Sequence, residues 1–176
     1  MSSHFFFIVK NQLPFLLFQR FNEENCLTIM YSKLIFSLRV LKKSIAFQFG
    51  MLSCISGVDL LQKKYRFVVV YDFLSLIFNI RLRIKVYLNE YDFIPSILNV
   101  YANSNWWERE VWDLFGIFFE NHIDLRRILN DYTFEGYPLR KDYPLSGFGE
   151  VRYNQHMKGI ITEMLQFTQE YRTYSQ

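Results

Sequence analysis

The stretch FVVVYDFLSLIFNIRLRIKVYL, residues 67–88, decides the fold. Ile80, Leu82, Ile84, Val86 and Leu88 alternate with Arg81, Arg83, Lys85 and Tyr87, which makes one sheet face aliphatic and the other cationic. The preceding run, Tyr65 to Ile77, is a second strand region, rich in β-branched residues at Val68, Val69 and Val70. Asn79 between them is a turn residue, so the pair reads as an antiparallel hairpin. Phe67 to Ile80 does not span a bilayer: Asp72 and Asn79 interrupt it and Arg81 ends it, short of the roughly 20 apolar residues required.

On the N-terminal side, Met51 to Val58 reads as a further strand, ending near Asp59. Ser32 to Lys43 reads as a helix, with Leu34, Leu38, Leu41 and Ile45 at helical spacing and Lys33, Arg39, Lys42 and Lys43 elsewhere. Such a basic helix is either a domain helix with a solvated side or a membrane-surface helix. Residues 1–30 carry Phe5 to Val9 and Leu13 to Phe18, broken by Lys10 and Pro14, and match neither a membrane span, a signal peptide nor an Arg-rich presequence. They are expected to form an N-terminal extension packed on the domain or on a neighbour.

On the C-terminal side, Ile94 and Pro95 close the strand region and Ile97 to Val100 is expected to make a helical turn. Next comes WWEREVWDLFGIFFENHIDLRRILND, Trp106 to Asp131. Its charges are interleaved with Trp, Phe, Leu and Ile, so some of them reach apolar surroundings, where they are tolerated only when paired or hydrogen-bonded. The first half predicts a helix with Asn105 as N-cap, Glu108 completing a capping box, and Gly116 as a left-handed stop. Trp107, Val111, Leu114 and Phe115 share its apolar face, and Arg109 and Asp113, four apart on the other side, can pair. Glu108 lies at the edge of the apolar face and needs a counter-charge; Arg126, Arg127 and Arg140 are all candidates. Ile117 to Phe119 is expected to be extended, and Leu125 to Leu129 one turn of helix.

After Asn130 the character changes. Gly136, Pro138, Pro144, Gly147 and Gly149 prevent long regular elements, yet Tyr132, Phe134, Tyr137, Leu139, Tyr143, Leu145 and Phe148 recur as anchors. An arm with that pattern lies on something, either its own domain or a partner. The whole predicts an α+β chain: an N-terminal extension (1–30), a compact domain (31–129) with a small mixed sheet and antiparallel hairpin packed against helices, and a long extended C-terminal arm (130–176).

Composition narrows the chemistry. A net charge of +3 is too small for a general nucleic-acid binder, and no such motif is present. The two cysteines, Cys26 and Cys54, cannot hold an iron–sulfur cluster that needs about four thiolates. Cys54 reads as a small buried hydrophobe. His4, His122 and His156 are too scattered to suggest a metal site. Gly147-Phe148-Gly149 lacks the lysine and helix of a phosphate loop. A hydrolase built on Glu108, Glu110 and His122 is disfavoured, because residues two apart on a helix point about 160° from each other.

The residues Glu108, Arg109, Glu110, Asp113, Leu114, Phe115, His122, Arg126, Ile128 and Asp131, in that spacing, resemble the signature of the 30-kDa-type subunit of respiratory complex I, the subunit 9 family of NADH dehydrogenase. The resemblance runs on through Glu135-Gly136, Pro138 to Asp142, Pro144-Leu145 and Glu150 to Tyr153, and covers roughly Tyr31 to Arg172. It implies a non-redox core subunit of the hydrophilic arm of proton-pumping NADH:ubiquinone oxidoreductase, with no catalytic, cofactor or metal residues in this chain. FMN, iron–sulfur clusters, NADH and ubiquinone would then belong to the complex as a whole. It implies docking through the signature residues, and an arm anchored by Tyr132, Phe134, Tyr137, Pro138, Arg140, Tyr143 and Pro144 on the 49-kDa-type subunit and neighbouring iron–sulfur subunits of the quinone module. Membrane association would be indirect, on the matrix side of the mitochondrial inner membrane or, in a bacterium, on the cytoplasmic side; the 19 phenylalanines and the lack of a presequence pattern favour an organelle-encoded chain. The competing reading is a peripheral membrane protein using the N-terminal apolar segment and the basic helix.

Overall fold

The structure, a computed structural model, describes residues 17–21, 24–169 and 172. Its centre is the expected hairpin. Strand β4 (Phe67–Ser75) pairs antiparallel with β5 (Ile80–Leu88), and Asn79 takes the left-handed conformation at φ 50° that the turn requires. Strand β3 (Met51–Asp59) adds to the other edge of β4, with a bulge between Leu52 and Cys54. On the far side β2 (Glu24–Ile29) runs parallel to β5, and β1 (Leu17–Phe21) pairs antiparallel with β2. The result is a five-stranded mixed sheet in the order β1-β2-β5-β4-β3. Residues 17–21 and 24–29, grouped by the sequence with the N-terminal extension, thus form an edge of this sheet. Two further expectations, on the apolar run Phe5 to Val9 and on most of Leu13 to Phe18, lie outside the described residues.

Alternation sorts the two faces. Leu82, Ile84, Val86 and Leu88 join Phe67, Val69, Tyr71 and Phe73 in one buried cluster. Helix α1 (Leu34–Lys43), entered through a 3-10 turn at Tyr31–Lys33, adds Leu34, Leu38 and Leu41 to that cluster. Helix α2 (Ser104–Phe115) adds Val111 and Phe115, with Trp107 and Leu114 packed at the margin. Each fully buried aliphatic or aromatic side chain is worth about 1.5–3 kcal/mol, so this layer dominates the stability of the domain. Because the apolar stripe of α1 is spent on the core, it is a domain helix; its leucines are not available to a bilayer. The other sheet face stays open, with Arg81 and Tyr87 exposed and Arg83 paired to Asp72 at 2.8 Å.

Two short segments frame the helix. Ile94–Pro95 (β6) pairs parallel with Phe119–Glu120 (β7), so the chain just before α2 and the chain just after it are held side by side. Beyond residue 130 there is no regular element until a separate antiparallel hairpin, β8 (Gly149–Asn154) with β9 (Gly159–Met164). The sequence reading gives only an extended arm here, because neither strand is flanked by a clean alternation.

Packing between α2 and the sheet is close at one place. A Cβ on Gly57 would lie 2.6 Å from the Phe115 ring. Gly57→Ala is therefore expected to cost about 1–3 kcal/mol as overpacking. Urea unfolding should show it, and adding Phe115→Leu should restore part of the loss.

Candidate functional site

The signature residues converge where α2 meets the loops around it. Asp113 is fully buried, and its carboxylate is the focus of the following loop. Oδ2 accepts the backbone N–H groups of Ile128 (3.1 Å), Leu129 (2.7 Å) and Asn130 (3.0 Å). Oδ1 accepts Arg127 Nη1 at 2.8 Å and Asn130 Nδ2 at 2.9 Å. Burial alone would raise this carboxyl's pKa; the amides of Asn130 and Leu129, the Asn130 side chain and Arg127 outweigh it and hold the group well below the usual carboxylate range. The loop is irregular: amides that a helical turn at Leu125 to Leu129 would direct along its own axis point instead at Asp113, which corrects the helix expected there.

Three other expectations fail in the same region. Arg109 does not pair with Asp113; it is buried, its Nε donates to the Arg126 carbonyl at 3.2 Å, and its guanidinium lies 5.0 Å from the Trp106 ring centroid. The capping box is absent, for α2 starts at Ser104 and Asn103 donates its side-chain amide to the Leu52 carbonyl at 2.9 Å. Glu108 meets none of the three arginines. It accepts Ser96 Oγ–H at 2.6 Å and the Ile97 N–H at 2.8 Å, while His122 Nε2 stands 3.7 Å from Oε2. Full burial explains the choice: a carboxylate beneath the β6 loop takes the donors that reach it, and an arginine head brought there would lose its own hydration.

Burial raises the Glu108 pKa and lowers that of His122, so both lean to their neutral forms. His122 Nδ1 accepts the Asp124 N–H at 3.1 Å, which leaves the ring proton on Nε2, facing Glu108. Both side chains are fully sealed from solvent, so no substrate reaches them and the acid–base reading has no open site. Glu110 is half-buried on another side of the helix, and Arg126 is exposed, paired with Asp124 at 3.0 Å. Asp131 is exposed and caps only its neighbour, accepting the Tyr132 N–H at 2.7 Å.

The arm lies back on its own domain as far as Asp142. Gly116, left-handed at φ 74° as expected, lets Tyr137 and Arg140 lie against the end of α2, where a Cβ would come within 2.6 Å and 2.7 Å of them. Arg140 donates to the Phe115 carbonyl at 2.6 Å, stacks on Tyr137 and Phe67, and reaches Glu90 at 3.3 Å. Leu139 N–H bonds the Leu114 carbonyl at 3.1 Å. Arg127 also donates to Gly136 O at 2.9 Å and lies over the rings of Phe134 and Tyr137. Ile128, Pro138 and Tyr143 are half-buried, whereas Tyr132 and Pro144 are exposed.

A second clip was not legible in the sequence. Arg66 pairs with Asp59 (3.2 Å), Glu90 (2.9 Å) and Asp142 (2.7 Å), and Asp59 also accepts the Lys141 N–H at 2.9 Å. These groups come from three distant parts of the chain, the β3–β4 connection, Glu90 and Lys141-Asp142, and only the meeting of strand ends brings them together.

Past Asp142 the contacts change. The β8–β9 hairpin has a charged face, where Arg152 pairs with Glu163 at 2.6 Å, and an apolar face of Val151, Tyr153, Ile160 and Met164, each 63–85% exposed. Phe148, Leu145 and Met157 beside it are exposed as well. A groove of about 610 Å³ lies between hairpin and arm, lined by Phe134, Pro138, Tyr143, Phe148, Val151 and Thr162 among others.

Among the described residues no three His, Cys, Asp or Glu side chains cluster to hold a metal, and no helix is long and apolar enough to cross a membrane. Cys54 is half-buried rather than buried, with Sγ 3.5 Å from Asp72 Oδ2; burial, then Asp72, pushes its thiol pKa up. Cys54, Asp72, Arg83 and Cys26 stand in one row across β3, β4, β5 and β2. Three strand spacings put the two cysteine backbones about 14 Å apart, so this donor set does not fit an iron–sulfur cluster.

The sequence family described as "Respiratory-chain NADH dehydrogenase, 30 Kd subunit" matches residues 27–149. NADH-ubiquinone oxidoreductase subunit 9 of Reclinomonas americana is 46% identical over 152 residues, which is 86% of this chain and 74% of that one. An NADH-quinone oxidoreductase subunit of Methylobacterium radiotolerans is 46% identical over 86% of this chain and 70% of its own length. The mitochondrial "NADH dehydrogenase [ubiquinone] iron-sulfur protein 3" of Candida albicans is 44% identical over 90% of this chain, which spans 57% of that protein. A chain in the structure of the membrane-bound sulfane sulfur reductase, an archaeal respiratory membrane complex, shares the fold with a TM-score of 0.71 at 23% identity, covering 82% of this chain and 86% of that one.

Asp113→Asn should cost about 3–5 kcal/mol at neutral pH, because it leaves Arg127 without its buried counter-charge. The native carboxyl titrates below its unfolded counterpart, so its contribution is present above about pH 4 and is lost as pH falls further. Urea titrations at neutral and acid pH are therefore expected to show the gap between wild type and Asp113→Asn closing on acidification.

Proposed function

The chain belongs to the 30 Kd subunit family of respiratory-chain NADH dehydrogenase, and from that membership we propose that it is a non-redox core subunit of proton-pumping NADH:ubiquinone oxidoreductase. Its task is mechanical. The domain and arm hold the 49-kDa-type subunit and neighbouring iron–sulfur subunits of the quinone module in register while electrons pass from NADH to ubiquinone on FMN and clusters carried by other chains. It sits in the hydrophilic arm on the matrix side of the mitochondrial inner membrane, attached through protein partners.

One observation carries this reading: the β8–β9 hairpin presents an apolar face that its own domain leaves uncovered. A lone two-stranded hairpin is marginal in water. Exposed apolar patches rimmed by polar groups mark protein interfaces, and a partner surface over Val151, Tyr153, Ile160 and Met164 would supply the missing layer. The sealed Glu108–His122 pair and the buried Asp113 hub support the same division of labour, since both shape the chain rather than face a substrate.

Tyr153 and Ile160 stand opposite each other on that face. The double variant Tyr153→Lys, Ile160→Glu, which keeps an attractive cross-strand pair while removing the apolar surface, should leave the chain's own unfolding transition within about 0.5 kcal/mol of wild type, as exposed substitutions do. Native electrophoresis of membranes is expected to show much less assembled complex with NADH dehydrogenase activity. The clusters in the remaining complex should keep their redox spectra. Normal assembly with a selective loss of quinone reduction would refute the mechanical role.

A further inference from the structure

Between Glu24 and Asp59 the chain has no acidic residue, yet it carries Lys33, Arg39, Lys42 and Lys43. All four belong to α1 or the turn leading into it. Elsewhere in the domain Arg66, Arg83, Arg127 and Arg140 each meet a carboxylate. Among the described residues no carboxylate lies within ion-pair distance of Arg39 or Lys43.

The helix turns Leu34, Leu38 and Leu41 into the core, which leaves Phe36, Arg39 and Lys43 on its outer stripe. At its C-terminal end a depression of about 340 Å³ is lined by Arg39, Lys42, Lys43, Asn99 and Val100. Lys42 is committed to the depression itself: its ammonium donates to the Val100 carbonyl and lies 4.6 Å from the Tyr101 ring centroid. Arg39 and Lys43 are left at the rim, and Ile45 just beyond the helix is 82% exposed. The helix dipole favours cations at this end, by about 0.3–1 kcal/mol each, which accounts for their sign but not for a concave wall of three of them.

We propose that this depression receives an acidic segment of a neighbouring subunit, whose carboxylates lie between Arg39 and Lys43 while an apolar side chain covers Ile45. The inference rests on the reading that the chain works docked, and adds an interface on α1, an element separate from the β8–β9 hairpin. Charge complementarity selects the partner's chemistry. A bilayer is the poorer occupant, since membrane-surface helices bury a broad apolar face and the one on α1 is already in the core.

The test is carbodiimide treatment of the native complex in membranes, followed by mass spectrometry. The reagent condenses a lysine amine with a touching carboxylate to an amide, with loss of water. Lys43 is expected to link to Asp or Glu of another subunit, several-fold less at raised salt, whereas exposed Lys63 on the same domain gives no such link. Arg39→Glu with Lys43→Glu should weaken retention of the chain in the complex at raised salt. The proposal falls if the chain runs with the complex while Lys43 forms no interchain link and acetylates as fast as in the isolated chain. It falls equally if Lys43 is shielded only until lipid is removed, which would assign the depression to an anionic headgroup. A chain that never migrates with the complex overturns the wider reading and this one together.

Discussion

A single buried carboxylate fixes the loop that follows the second helix, and the rest of the arm starts from it. Asp113 leaves water entirely, and an isolated ion in such a place would be prohibitively costly. Three consecutive backbone amides, one side-chain amide and one guanidinium replace its hydration. That replacement works only with residues 127–130 in one conformation. Arg127, fixed by the same contact, becomes the support on which Phe134, Gly136 and Tyr137 rest. Burying the charge need not stabilise the fold relative to an apolar core; what it secures is the path of the chain.

The arm is then tied at successive points, each using a different part of the domain. Gly116 gives room for Tyr137 and Arg140 against the end of α2. Arg140 joins that end to Phe67 and Glu90. Arg66 and Asp59 take Lys141 and Asp142. Partly buried charge networks of this kind are weakly screened by salt, and they deliver the β8–β9 hairpin to a defined place with its apolar face outward. The order is consistent: the hydrophobic layer builds the sheet and helices, ionic contacts aim the arm, and apolar surface is left where a partner can use it.

Strands β3 to β5 and the two helices were open to inspection because their periods are clean. Strand β5 alternates without a fault from Ile80 to Leu88, and α1 repeats its leucines at helical spacing, so burial follows directly. The left-handed stop at Gly116 and the turn at Asn79 were readable for a local reason: each needs a residue that tolerates positive φ. The pairing of charges was not readable. Arg109 and Asp113 sit at the spacing of a helical ion pair, yet both are drawn under the following loop and find other partners. Glu108 had three arginines to choose from and took a serine and a backbone amide instead, with His122 beside it at 3.7 Å.

Three strands of the central hairpin region, both helices with the direction of their apolar faces, and, through the spacing of Glu108 to Asp131, the family were all legible along the chain. Those are properties of neighbours along the chain, set by dihedral preference and by a period of two or of about 3.6. Which donor meets which carboxylate, that residues 17–21 and 24–29 complete the sheet, and that the arm folds back before its hairpin stands clear emerge with the folded chain. Charge pairing depends on distance and desolvation between segments far apart in sequence, and neither quantity exists until the core has closed.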